Sequence, residues 1–146
     1  MKPPKTAESW IASWNSDTLF RPIMKKAAGY FYRMSQPIAG YSPGDVVFDF
    51  GCGPGYLVDF LAEGTGEVHG VDTSARMISE CRDRFSGRSH VHFHLLNSNR
   101  YTDLSCVGDK KFSLILCLSV VQDFDGIHSV EELVRSFARV AAPGPA

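Results

Sequence analysis

Between 46 and 57 the chain reads VVFDFGCGPGYL, an apolar run broken by Asp49 and followed by Gly51, Gly53 and Gly55. Glycines packed this closely let a backbone turn sharply and leave no Cβ between the main chain and a ligand. Where such a turn opens a helix, its free N–H groups also point outward. Asp49 sets a carboxylate at the mouth of the turn, a poor neighbour for pyrophosphate and a good one for an ammonium or sulfonium cation. Asp72 follows Gly51 by 21 residues, ending the segment VHGVD. There an acidic side chain can accept both hydroxyls of a ribose. The ligand these residues suit is an adenosine carrying a cationic amino-acid tail. The spacing GxGxG with Pro54 inside also departs from the GxGxxG of dinucleotide sites, which leaves a nicotinamide-dependent oxidoreductase a distant reading.

The elements around these residues follow from periodicity. Short apolar runs predict strands over Val46–Phe50, Glu67–Val71, His90–Leu96 and Phe112–Leu118. Helical patterns fit Ala7–Trp14, Phe20–Ser35, Tyr56–Glu63, Ser74–Phe85 and Ser129–Val140, the last opening on a capping-box pattern from Ser129 to Glu132. SQPIAGYSPGD reads as the linker into the sheet, so 1–45 forms an N-terminal helical cap and 46–146 the ligand-binding unit of one structural domain. Alternating strands and helices imply right-handed crossovers and a parallel, Rossmann-like α/β sheet.

With 15 basic and 16 acidic residues the chain carries a formal charge of −1, which argues against nucleic acid or an anionic membrane as a partner. The longest apolar run, Leu114–Val121, is too short to span a bilayer, and the first ten residues have no apolar targeting core. Cys52, Cys81, Cys106 and Cys117 form no CxxC pair and read as reduced thiols. A soluble, cytoplasmic protein is expected.

VVFDFGCGPGYL together with VHGVDTSARMI resembles the class I S-adenosylmethionine-dependent methyltransferases. The resemblance implies S-adenosyl-L-methionine as cofactor, with Asp49, Gly51, Cys52, Gly53 and Gly55 at its methionine part. It puts Asp72 and Thr73 at the ribose. VHFHLLNSN is similar to the end of the family's third strand, which places Asn97 and Ser98 beside the adenine, Asn97 standing where an aspartate is usual. FSLILCLSVVQDF resembles the fourth strand and its loop, with Ser119, Val120 and Gln122 facing the transfer site and Ser113 replacing a usual aspartate. Arg139–Gly144 is similar to the turn that ends the following helix, Pro145 standing for its second glycine. The family's sheet order implies strands 3-2-1-4.

The Asn-Pro-Pro-aromatic turn that the family uses for base and amide nitrogens and its Pro-Cys nucleophile are not found after the fourth strand, and LSVVQDF resembles the family's small-molecule branch, so the resemblance implies a small-molecule acceptor. Methyl transfer is in-line displacement that chiefly needs positioning and exclusion of water. No catalytic residue is assigned; Gln122, Asp123, Tyr30 and Tyr32 are candidates beside packing roles. Family strands beyond the Gly144 turn are absent from this sequence. The fourth strand should therefore have an open edge and the chain dimerise, swap or aggregate through Phe112–Val120 unless the N-terminal helices cover it. A non-catalytic cofactor-binding remnant, or a fragment needing a partner chain, is the alternative. His90, His92 and His94 alternate along one strand face, but a polar outer edge accounts for them and no metal site is assigned. Cys52 is expected to fit as a small side chain under the turn rather than to act as a redox sensor.

Overall fold

The computed structural model describes residue 12 and residues 21–144. Apart from Ala12, the expected first helix with Trp10 and Trp14 lies outside the described residues, as do Phe20 and Pro145. The elements in chain order are α1 (Arg21–Ala39), β1 (Val46–Phe50), α2 (Tyr56–Gly64), β2 (Glu67–Asp72), α3 (Ala75–Arg84), β3 (Val91–Leu95), β4 (Leu114–Leu116) and α4 (Ile127–Val140). All strand pairs are parallel and the order is β3-β2-β1-β4. No helix among the described residues is long and apolar enough to cross a membrane.

The near-continuous apolar character of β1 matches its burial on both faces. Val47 joins Val58, Leu61, Val68 and Ile78 beneath α2 and α3, whereas Phe48 and Phe50 join Phe112, Leu133 and Val140 beneath α4. Phe48 stacks on Phe112 at 4.7 Å between centroids, and Phe137 of α4 meets Phe50 edge-on at 5.5 Å. Ser113, in place of the usual aspartate, donates to Asp45 Oδ1 at 2.9 Å and accepts from the Val46 amide at 3.0 Å. It ties the start of β4 to the start of β1.

Three elements differ from expectation by two residues or more. α1 runs on to Ala39 with Pro37 inside it, and Gly40 N donates to Gln36 O at 2.9 Å; along its length Tyr32 stacks on Phe60 of α2 and on Tyr41, each at 5.3 Å. The Ser129 capping box does not form. α4 starts two residues earlier, with Gly126 in the cap position, and Ser129 donates to Asp125 Oδ1 at 2.7 Å instead. β4 is only three residues long, since the chain after α4 returns to its start: Phe112 N donates to Val140 O at 2.9 Å and Ala142 N to Phe112 O at 2.8 Å. The edge expected to be open is thus covered at Phe112.

A candidate cofactor cavity at the carboxyl ends of the strands

The strand order reverses at β1, with β2 on one side and β4 on the other, and the crevice beyond their carboxyl ends is the place where open α/β sheets bind ligands. A cavity of about 300 Å³ lies there. Its floor is the turn after β1. Gly51 has φ +78°, and a Cβ on it would sit 2.4 Å from Val120 Cγ2, so the approach of the β4 loop dictates glycine here. Gly53 has φ +51° and lines the cavity, where a Cβ would press on Met24 Cε at 3.1 Å. Gly55 lies at the start of α2 and faces away from the cavity: a Cβ there would meet Cys81 Sγ and Arg84 at 3.0 Å. It packs α3 against the turn and is not among the residues that line the cavity.

Asp72 joins the end of β2 to this turn. Its Oδ2 accepts from Gly53 N and its Oδ1 from Ser74 N, each at 2.9 Å. Burial raises its pKa against the lowering effect of these backbone bonds. Asp49 is 3% exposed, and its Oδ2 is buried with no hydrogen-bond partner. Burial, with the Asp72 charge adding to it, pushes the Asp49 carboxyl up to about 7. The charged side chains lining the cavity among the described residues are Asp49, Asp72 and Asp123, all acidic. A buried acidic cavity with an orphaned carboxylate oxygen suits a cationic ligand and disfavours a phosphate.

Cys52, Thr73 and Ser119 also line the cavity. Cys52 is buried, its Sγ within 3.7 Å of Gly53 O, and its thiol pKa is raised by the hydrogen bond with Cys81 and by burial. A thiol held neutral in this way is the small side chain expected under the turn. Ser119 is held at φ +58°, a left-handed backbone unusual for a serine, in the loop that follows β4.

Asn97 and Ser98 are not brought to the cavity. Asn97 is exposed, and its Oδ1 accepts from Asn99 N at 2.9 Å in a local turn, so Leu96 presents the wall instead. Of the catalytic candidates, Gln122 and Asp123 line the cavity, while Tyr30 is 53% exposed and Tyr32 is held in the stack between Phe60 and Tyr41. The remaining wall comes from residues that periodicity assigned only to packing or left unassigned: Ile23, Met24 and Phe31 of α1, with Tyr101 and Phe124 in contact at 4.9 Å. The helical pattern read over Phe20–Ser35 marks α1 as a helix without showing that these residues line a cavity.

The sequence matches a family model described as methyltransferase domain over residues 48–145. The ubiquinone biosynthesis O-methyltransferase of Idiomarina loihiensis is 24% identical over 142 positions, covering 90% of this chain and 51% of that protein. The N-demethylindolmycin N-methyltransferase of Streptomyces griseus is 30% identical over 99 positions, covering 67% of this chain and 40% of that protein. Among solved structures, the N-methyltransferase NodS of Bradyrhizobium japonicum with bound S-adenosyl-L-homocysteine superposes with a TM-score of 0.71 at 15% identity, over 94% of this chain and 69% of NodS. The magnesium protoporphyrin IX methyltransferase of Synechocystis with bound SAM gives a TM-score of 0.61 at 23% identity, over 81% of this chain and 54% of that one. The chain spans about half or less of the length of these curated relatives.

Proposed function

This chain belongs to the methyltransferase domain family, and from that premise we propose that it binds S-adenosyl-L-methionine and directs its methyl group to a small-molecule acceptor. The observation that carries the cofactor is the orphaned Asp49 Oδ2 in an all-acidic cavity, floored by Gly51 and Gly53. When bound, the cofactor supplies a methyl carbon made electrophilic by its sulfonium. In this reading Asp49 meets the cationic tail, Gly53 lets the main chain approach, and Asp72 offers the ribose hydroxyls the lone pairs its backbone bonds leave free. Thr73 and Ser119 complete the contacts. The residues fit the group because each charged side chain lining the cavity is negative and Asp49 Oδ2 has no other partner.

On the acceptor side Ile23, Met24, Phe31 and Phe124 form an apolar wall contributed largely by α1, which supports residues 1–45 as a cap over the domain formed by 46–146. Such a wall excludes water and favours an apolar small molecule over a polyanion. The free cysteines accord with a reducing, cytoplasmic compartment. Among the described residues no strand pairs with the outer edge of β4 at Leu114–Leu116, which supports association of two copies there. A monomer by light scattering across micromolar concentrations would remove that part of the reading.

Calorimetry with S-adenosylhomocysteine, paired with transfer of labelled methyl to a panel of apolar phenols and amines, tests the function. Saturable binding and labelled product are expected. Binding without turnover on any acceptor would reduce the chain to a cofactor-binding module, and no binding at millimolar ligand would refute the cofactor assignment itself.

A further inference from the structure

On the other side of β2, at the end opposite Asp72, the fold gathers a cluster that the cofactor cavity does not use. Parallel pairing sets His69 beside His92 across the β2–β3 ladder, with their rings 4.6 Å apart. Glu67 lies two residues before His69 on the same face. His69 Nε2 and His92 Nε2 both address Glu67 Oε1, at 2.7 and 3.4 Å, while Lys110 Nζ holds Glu67 Oε2 at 2.7 Å. The potential ligand atoms of Glu67, His69 and His92 all lie within 4.8 Å of one another. His90, expected on the same face, instead bonds the Ala62 carbonyl at 3.0 Å, so the strand-face triad of the sequence is replaced by one drawn from two strands.

We propose that Glu67, His69 and His92 bind a single zinc-type divalent transition-metal ion. Two imidazole nitrogens and one carboxylate oxygen form the donor set of an open zinc site, with the fourth position left to water, whereas calcium and magnesium call for oxygen ligands throughout. Ligands about 2.0–2.2 Å from a common ion stand roughly 3–3.5 Å apart, so rotation of these side chains closes the site without moving the strands. Entry is open, since the His92 and Glu67 side chains are 41% and 26% exposed while His69 is 8%.

A second shell is already in place. His69 Nδ1 lies 2.9 Å from His94 Nε2, in rings stacked at 5.1 Å. Without metal, His69 Nε2–H donates to Glu67 and His94 Nε2–H donates to His69 Nδ1. With metal, the His69 proton resides on Nδ1 and is donated to His94 Nε2, and the His94 proton resides on its Nδ1, where the Cys106 backbone carbonyl accepts it. Both rings stay neutral, and Lys110 leaves Glu67 for solvent. Lys110 is the cation that the metal replaces.

The test is titration of the full chain with zinc chloride, by calorimetry and by competition with a chromophoric chelator, with cobalt(II) absorption reporting the coordination geometry. One ion per chain is expected. His92→Gln, at an exposed position, should weaken zinc at least tenfold, and His94→Phe, which removes only the second shell, should weaken it about 10- to 100-fold. Lys110→Met should tighten it, an effect that a site elsewhere would not show. His128→Gln is the control and should bind as wild type, and circular dichroism checks that each variant folds. Absence of stoichiometric zinc binding by wild type, equal binding by His92→Gln, or weaker binding by Lys110→Met would each overturn the proposal.

Discussion

Asp49→Asn separates the ligand role of this carboxylate from its cost to the fold. In the ligand-free protein Asp49 is buried, with its carboxyl raised from the ordinary 3.8 to about 7. The native state therefore holds this proton more tightly than the unfolded chain, and stability falls as pH rises from 3.8 toward 7, then levels off. At 1.36 kcal/mol per pKa unit, the buried carboxylate costs about 2 kcal/mol at pH 5 and about 4 kcal/mol at pH 8, a differential of roughly 2–3 kcal/mol. The asparagine variant carries no such dependence. Urea unfolding at both pH values should show the variant gaining roughly that differential over wild type at the higher pH, even if its own amide is left unpaired and costs about 1–3 kcal/mol at both. The same variant should bind S-adenosylhomocysteine more weakly, by about 1.5–3 kcal/mol, since a charge-assisted contact is lost. Wild-type affinity should rise through pH 7 while that of the variant stays flat. An unchanged stability difference between the two pH values, together with undiminished ligand affinity, would refute both the burial argument and the place of Asp49 in the site.

Gly51→Ala forces a Cβ into Val120 in a backbone conformation that costs an alanine about 1–2 kcal/mol, so a larger total loss is expected in urea midpoints, with partial recovery in the Gly51→Ala, Val120→Ala double variant. Asp72→Ala should weaken S-adenosylhomocysteine by about 1–3 kcal/mol in calorimetry and also lower the thermal midpoint, because the bonds from Gly53 and Ser74 are lost with the ribose contacts. Ser119→Gly relieves the φ of +58° and should raise stability by up to about 1 kcal/mol; a clear loss would mean that the serine side chain contributes more than the backbone strain costs.

Much of the fold was legible because its signals are local. Apolar runs of strand length and the glycine turn after β1 are readable within a few residues of themselves. Boundaries were misread where distant packing decided them. α1 extends past Pro37 to Ala39, where Gly40 N donates to Gln36 O, and β4 shortens because Val140 and Ala142 take the backbone groups of Phe112. Asn97, placed beside the adenine by resemblance, lies outside the cavity lining, with its Oδ1 accepting from Asn99 N.

The sequence by itself carried the reading of the ligand. The acidic residues and glycines that suit a cationic nucleoside sit within one strand–turn–helix unit and at the end of the next strand, where order along the chain fixes their neighbours. Tertiary structure decided which of those residues touch the cavity and which only support it. Gly51 is glycine because of Val120, Gly55 because of Cys81 and Arg84, and α1 became a wall of the site although nothing in its pattern names a ligand. The histidine cluster belongs to the same class: Glu67 and His69 meet His92 only through the register of β2 against β3. Pairing of strands distant in the chain is set by burial of whole faces, a property that no short stretch of sequence contains.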